Sequence, residues 1–240
     1  MAIQPDRRYL SRSQADAATV DVGLRSYMLR VYNYMALGVA LTGIIALIVA
    51  MNPALMQTIA LGPLKWVLFI GIIGMGFMAP RLIMTGSTTT AQVAFWVYAA
   101  MWGALISPMF YLYTGDSMVR VFFITAAAFA GTSLYGYTTK RDLGPIGAFL
   151  AMSTIGLLVA VLVNAFIFQS AGFHYLMSFV VVLVFAGLTA YETQMIKSMY
   201  LESDHSGVVT RKAIFGAFML YGSFVTMFIW LLQIFGVARN

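Results

Sequence analysis

Long apolar runs alternate with short polar breaks along most of this 240-residue chain. A helix that crosses a bilayer needs roughly 20 mostly apolar residues, and seven stretches reach that length. They lie at about 29–51, 64–84, 91–113, 118–139, 145–168, 174–196 and 213–237. The pattern therefore predicts seven spanning helices joined by connections too short to hold a separate domain.

The breaks carry turn-forming residues, among them Asn52-Pro53, Gly62-Pro63 and Gly115-Asp116. Residues 1–27 differ from the rest of the chain, because they contain four Arg and three Asp and no continuous apolar run. We expect them to form a mobile polar tail in the cytoplasm. Residues 28–240 are then the transmembrane domain.

The composition supports an all-α integral membrane protein. The chain is 61% apolar and 9% charged, whereas soluble domains carry about 25% charged residues. The net charge of +6 would suggest nucleic-acid binding in a soluble protein, but here the basic residues lie between apolar runs, so no nucleic-acid partner is expected. The absence of cysteine excludes disulfides and thiolate metal sites.

Lys and Arg concentrate in alternate breaks, which predicts the orientation through the positive-inside rule. With the N-terminus inside, the cytoplasmic segments contain eleven basic residues and the outer segments contain three. The outer three are Lys65, Arg120 and Arg239. Seven spans place the C-terminus outside, although the loss of one span would return it to the cytoplasm.

Small residues are expected at helix contacts, because spanning helices associate through close backbone approach and interhelical hydrogen bonds. Glycine is also simply frequent in membrane helices, so each position has two interpretations. The candidates are Gly71, Gly74, Gly76, Ala99, Gly103, Gly147 and Gly156.

Glu192 is the acidic residue that falls within a predicted span. Ionisable groups at membrane depth are costly, usually face the bundle interior or a water-filled cavity, and often serve function. Glu192 also lies five residues before Lys197. The alternative is therefore that it pairs with this lysine or reaches the headgroups.

The last span carries small and polar residues at spacings that place them on one helical face: Gly216, Ser223, Thr226 and Gln233. This polar stripe could face Glu192 across a shared hydrophilic interior. Its hydroxyls could equally bond to their own helix beside a packing glycine.

The segment SLYGYTTKRDL at 133–143 strongly resembles the Bax inhibitor-1, or transmembrane Bax inhibitor motif, family. The resemblance extends to YETQMI at 191–196 and LYGSFVTMFIWLLQIFG at 220–236, so it covers nearly the whole chain after the tail. It implies a bacterial member with a seven-helix bundle, the last helix at its centre, and a pH-sensitive calcium leak.

Family members use two facing aspartates, one in the sixth helix and one in the seventh, which share protons and gate the pore. The sixth-helix aspartate matches Glu192, within Tyr191-Glu192-Thr193-Gln194. The seventh-helix aspartate falls on Ser223, and the asparagine that follows it in the family falls on Thr226. This chain therefore retains one of the two carboxylates.

The missing carboxylate weakens any calcium site. Ca²⁺ takes six to eight oxygen ligands, usually including charged ones, and Glu192 alone would neutralise half of the charge of the ion. Neutral oxygens of Ser223, Thr226, Thr189 and Thr193 could complete a transient site. We expect weak, transient Ca²⁺ binding at Glu192 and no resident cofactor.

Two functions follow. The first is a pH-sensitive calcium, or cation, leak in the bacterial inner membrane, with Glu192 as the titratable gate residue and the protein acting as a monomer. The alternative is a binding protein that modulates a membrane-anchored protease or membrane quality control through its tail. An enzyme is not expected, because the sequence has no pair of intramembrane aspartates, no zinc motif and no serine–histidine arrangement.

Overall fold

A computed structural model describes residues 12–60 and 62–239. These residues form nine α-helices and one π-helical turn at Asn164–Phe168, which follows α7 directly. The helices are α1 Arg12–Ala50, α2 Pro53–Ala60, α3 Leu64–Thr85, α4 Thr88–Ile106, α5 Met109–Leu112, α6 Gly115–Thr138, α7 Gly144–Val163, α8 Ala171–Ser198 and α9 Ser206–Phe235. The all-α class predicted from the sequence is confirmed.

Within the described ranges, seven segments are long and apolar enough to cross a bilayer, as predicted. They are Val22–Ala50, Leu64–Thr85, Thr88–Leu112, Gly115–Thr138, Gly144–Phe168, Ala171–Ser198 and Ser206–Phe235. The last one begins seven residues earlier than the apolar pattern indicated, because the polar residues after Ser206 continue the helix.

Helix α1 begins at Arg12, within the segment predicted to be a mobile tail. Residues 1–11 of that predicted tail lie outside the described residues. The proposed division of the chain at residue 28 therefore does not coincide with the start of the first helix, and it stays a prediction.

Short polar residues and one proline set the helix boundaries. The side chain of Ser87 accepts a hydrogen bond from the backbone N–H of Thr90 at 3.1 Å and begins α4, and Asn52 caps α2 in the same way through Ala54 at 3.1 Å. Such side chains satisfy backbone donors that have no partner within the helix. Pro108 separates α4 from α5, because a proline cannot donate to the preceding turn.

The last helix lies at the centre of the bundle, as expected from the family resemblance. Helix α9 packs against α1, α3, α4, α6 and α8. Of the residues in its most apolar 18-residue stretch, 61% are buried. The corresponding buried share is at most 39% in any other spanning segment. By contrast, α7 packs on α8 at the periphery of the bundle, and only 6% of the most apolar 18-residue stretch in the span Gly144–Phe168 is buried.

Four segments lie at one end of the bundle: the start of the first span, the α3–α4 turn, the α6–α7 loop and the α8–α9 loop. We call this the basic end, and hydrogen bonds connect its segments. Arg211 donates to the Gly86 carbonyl at 2.7 Å, and Arg30 donates to Thr210 at 3.3 Å. Lys212 forms an ion pair with Asp204 at 2.5 Å. The basic segments predicted to be cytoplasmic therefore meet at the same end.

The last described residues, up to Arg239, lie at the opposite end of the bundle. The N–H of Thr114 donates to the Val237 carbonyl at 3.0 Å, and the N–H of Arg239 donates to the Leu112 carbonyl at 2.9 Å. These bonds attach the last residues to the connection between α5 and α6. The first span begins at one end and the chain finishes at the other, as an odd number of spans requires.

Candidate functional site

Glu192 lies inside the bundle, where α8 meets α9. Its side chain is 4% exposed, although it lies only six residues before the end of α8, about 9 Å along the helix axis. Ser223 of α9, which is 2% exposed, donates its hydroxyl hydrogen to Glu192 Oε2 at 2.7 Å. The predicted facing of these two residues is therefore present.

The alternative interpretation, a pair between Glu192 and Lys197, does not occur. The ammonium of Lys197 donates to the Tyr137 carbonyl at the end of α6, at 2.9 Å, and lies 4.8 Å from the centre of the Tyr137 ring. Lys197 thus anchors α8 to α6 at the basic end, while Glu192 turns inward.

A cavity of about 500 Å³, open on one side, adjoins the carboxyl group of Glu192. Helices α3, α4, α8 and α9 surround it, and its polar wall includes Glu192, Ser223 and Thr226. The rest of its lining is largely apolar and aromatic: Gly76, Pro80, Tyr98, Phe185, Phe215, Phe218, Met219 and Gly222. The cavity is large enough for water, since one molecule takes about 30 Å³ in the liquid and needs two to four polar partners.

Thr189 and Thr193, which were predicted to supply oxygens beside Glu192, do not line this cavity. The hydroxyl of Thr189 donates to the Phe185 carbonyl at 2.8 Å, and the hydroxyl of Thr193 donates to the Thr189 carbonyl at 2.8 Å. Both hydroxyls thus bond to their own helix, a common arrangement for helical Thr.

Thr193 also belongs to a chain of hydroxyl groups on the other side of α8. Ser133 of α6 lies 2.9 Å from Thr193, and Tyr32 of α1 lies 2.6 Å from Ser133. Because the hydrogen of Thr193 goes to a carbonyl, Ser133 donates to Thr193 and Tyr32 donates to Ser133. This contact was not predicted from the sequence, although Ser133 begins the family-typical string at 133–143.

The four residues of the YETQ string point to four different neighbours. The ring of Tyr191 packs on Gly147 of α7, Glu192 meets α9, and Thr193 meets α6. The amide of Gln194 donates to the Arg141 carbonyl at 2.7 Å and accepts from the Leu143 N–H at 2.8 Å. Successive residues turn by about 100° around a helix, so one short string fixes α8 on every side.

Three members of the polar stripe of α9, which its spacing placed on one helical face, contact α8: Gly216, Ser223 and Gln233. A side chain at Gly216 would meet Ile196 of α8, with its Cβ 2.8 Å from Ile196 Cγ2. The amide oxygen of Gln233 lies 3.5 Å from the Ser178 hydroxyl. The stripe therefore combines close packing at its ends with the Glu192–Ser223 contact between them.

Within the described residues no group of three or more His, Cys, Asp or Glu could hold a metal ion. Glu192 is accordingly the carboxylate available to a cation at this cavity. The remaining oxygens in the wall are neutral hydroxyls.

Comparison with known proteins identifies the family. The family model described as "Inhibitor of apoptosis-promoting Bax1" matches residues 24–240. A protein of Rickettsia prowazekii is 41% identical over 92% of this chain and 94% of its own length. A protein of Caulobacter vibrioides is 36% identical over 98% of each chain.

The inner membrane protein YbhL of Escherichia coli strain K12 is 36% identical over 90% of this chain and 94% of its own length. The resemblance inferred from the segments at 133–143, 191–196 and 220–236 is thereby confirmed. The chain is an integral membrane protein that belongs to the Bax inhibitor family.

Proposed function

We propose that this protein is a pH-sensitive cation leak, with calcium as the transported ion and Glu192 as the titratable residue on its path. Its relative YbhL is an inner membrane protein, which supports the same location for this chain. The observation that carries the proposal is the buried carboxyl group of Glu192 beside a cavity whose lining includes the hydroxyl-bearing residues Ser223 and Thr226.

The position of Glu192 is difficult to explain by stability alone. A carboxyl group at membrane depth costs a few kcal/mol and is usually retained where it serves a path or a relay. Ser223 satisfies one carboxyl oxygen, and no ion pair within the described ranges involves Glu192. Its charge can therefore change with proton uptake without breaking a salt bridge.

The few oxygen ligands in the wall of the cavity support brief passage of Ca²⁺ rather than tight binding. Glu192 supplies the charge, and the hydroxyls of Ser223 and Thr226 supply neutral oxygens. Three side chains fall short of the six to eight ligands that Ca²⁺ takes, so water would have to complete its shell. The ion in this proposal is cargo that occupies the cavity briefly.

The first prediction concerns Glu192→Gln. In liposomes loaded with calcium, we expect efflux through the variant to lose its pH dependence and to be about ten- to a hundredfold slower, because a hydrogen bond to a charged group contributes about 1.5–3 kcal/mol. The measurement is calcium efflux across a series of external pH values.

Glu202→Gln is the matched control, since Glu202 is an exposed acid in the α8–α9 loop. It should behave like the unaltered protein. Equal flux and equal pH dependence in Glu192→Gln and the unaltered protein would refute the role of Glu192.

The alternative, modulation of a membrane-anchored protease or membrane quality control, stays a prediction. Part of the tail on which it rests, residues 1–11, lies outside the described residues. The monomeric state likewise stays a prediction.

A further inference from the structure

A long apolar groove runs along the outside of the bundle between α1 and α6, away from the cavity at Glu192. Its first part has a volume of about 850 Å³. Phe129 and Phe224 lie in its lining and are nearly buried, whereas Leu29, Ala130 and Leu134 remain exposed on its walls. The groove is thus open along its side to the surrounding lipid.

The groove continues toward the other end of the bundle. A second apolar cavity, of about 370 Å³, shares Val39, Phe122 and Phe224 with the first and extends to Ala46. From Arg25 to Ala46 the rise along α1 is about 31 Å, so the groove extends past the middle of a bilayer, which lies about 20–22 Å from its surface.

The first part of the groove has the depth of one leaflet. It reaches from Arg25 to Val39 on α1, a rise of about 21 Å. Half of a bilayer, headgroups included, measures about 20–22 Å. One phospholipid would therefore extend from the mouth to the shared middle of the groove.

The wall of the groove holds three hydroxyl-bearing residues, of which Tyr137 lies in the last turn of α6 at the basic end. The other two, Tyr32 and Ser133, lie near mid-depth and are hydrogen-bonded to each other at 2.6 Å. Covering them with hydrocarbon leaves this bond intact, so the cost of burying a polar group without a partner does not arise.

The mouth of the groove is basic. Arg25 lies in the lining at this end and is exposed, and Arg30 is exposed on the adjoining surface together with Ser26 and Asn33. Basic side chains at a membrane surface attract anionic headgroups. Charge thus favours an anionic lipid over a zwitterionic one at this end.

We propose that the α1–α6 groove binds one anionic phospholipid, with its acyl chains between the two helices and its phosphate at Arg25. The lipid comes from the leaflet at the basic end. This site is separate from the ion path and does not depend on the proposed leak.

The second prediction tests the headgroup contact. The protein is reconstituted in nanodiscs that contain equal amounts of phosphatidylglycerol and phosphatidylcholine. It is then released from them in a native mass spectrometer, where the retained lipid is identified by its mass. We expect one retained phosphatidylglycerol on the unaltered protein. Arg25→Gln should reduce the preference for phosphatidylglycerol over phosphatidylcholine about fivefold. Arg81 is an exposed arginine of α3 outside the groove, so the control variant Arg81→Gln should leave this preference unchanged.

A pair of variants on one helix tests the position of the acyl chains. Ala130→Trp fills the groove and should abolish the retained lipid, whereas Ala127→Trp, also exposed on α6 but outside the groove lining, should retain it. Lipid retention by Ala130→Trp, or an unchanged preference in Arg25→Gln, would overturn the proposal. If Ala130→Trp kept the lipid but lost a dimer seen for the unaltered protein, the groove would bind a second copy of the chain. That result would also overturn the proposal of a lipid site.

Discussion

At the scale of single residues, the sequence predicted the Glu192–Ser223 contact, and the two side chains lie 2.7 Å apart. The signals were an acidic residue inside an apolar span, a stripe with helical spacing on the last span, and the family resemblance, which matches Glu192 and Ser223 to two facing aspartates. The roles of Thr189 and Thr193 could not be predicted in this way. Residues one to three positions from Glu192 share its depth, but spacing along one helix does not tell which neighbouring helix each will face.

The third prediction concerns Ser223→Asp. This change places a second carboxyl group within hydrogen-bond distance of the first, and two such groups resist being charged together. The pair should therefore take up protons in two coupled steps. We expect calcium efflux to depend more steeply on pH than in the unaltered protein, measured in the same liposomes.

Ser223→Asn separates charge from size, because it brings a polar side chain of similar volume without a titratable group. Its efflux should show no added pH dependence. Identical pH profiles for the Asp and Asn variants would mean that position 223 is not coupled to the titration of Glu192.

At the scale of helices, close approach decides which glycines matter. Gly103 lies against α1, where an added Cβ would stand 2.7 Å from the Thr42 carbonyl oxygen, and Gly147 lies under the Tyr191 ring. Gly74, Gly76 and Gly156, which the sequence offered as equal candidates, have nothing within 4 Å of that position. The sequence cannot rank them, since glycine is common in spanning helices whether or not it packs.

The fourth prediction concerns Gly136, which the sequence analysis did not single out. A Cβ at this position would collide with the backbone carbonyl of Ala190, where α6 crosses α8. Backbone atoms cannot move aside as a flexible side chain can. Gly136→Ala should therefore lower the free energy of unfolding by about 1–3 kcal/mol, measured by denaturant titration in detergent micelles.

Gly131→Ala, on the same helix, is the matched control. Nothing lies within 4 Å of the added methyl group there, and alanine favours the helix over glycine by about 1 kcal/mol. This variant should be as stable as the unaltered protein or slightly more so. Equal loss of stability in both variants would contradict the close approach of α6 and α8 at Gly136.

At the scale of the whole molecule, the number of spans follows from length and hydropathy alone, because every backbone group at membrane depth must be satisfied within its own helix. The central position of α9 does not follow from hydropathy, and it was expected only from the family resemblance. A hydrophilic interior at Glu192 was expected, but the size and the largely apolar lining of the cavity, and the α1–α6 groove, could not be predicted. Both depend on how neighbouring helices diverge, which leaves no mark on the apolar pattern.

The fifth prediction concerns the orientation in the membrane. The chain contains no cysteine, so single cysteines can be labelled without background. Asp116 and Glu202 are exposed acids at opposite ends of the bundle. In intact cells, a membrane-impermeant maleimide should label Asp116→Cys and should label Glu202→Cys only after lysis. The reverse pattern would invert the orientation predicted from the basic residues.

The YETQ string limits how the proposed ion path could open. Glu192 shares its turn of helix with Tyr191, Thr193 and Gln194, each engaged with a different neighbour. Rotating α8 about its own axis by one residue, about 100°, would break three contacts in order to move one carboxyl group. Swinging that carboxyl group about its own side-chain bonds breaks only the hydrogen bond to Ser223. Opening should therefore begin with a change of rotamer at Glu192, while α8 stays fixed and supplies the rigid reference against which the other helices move.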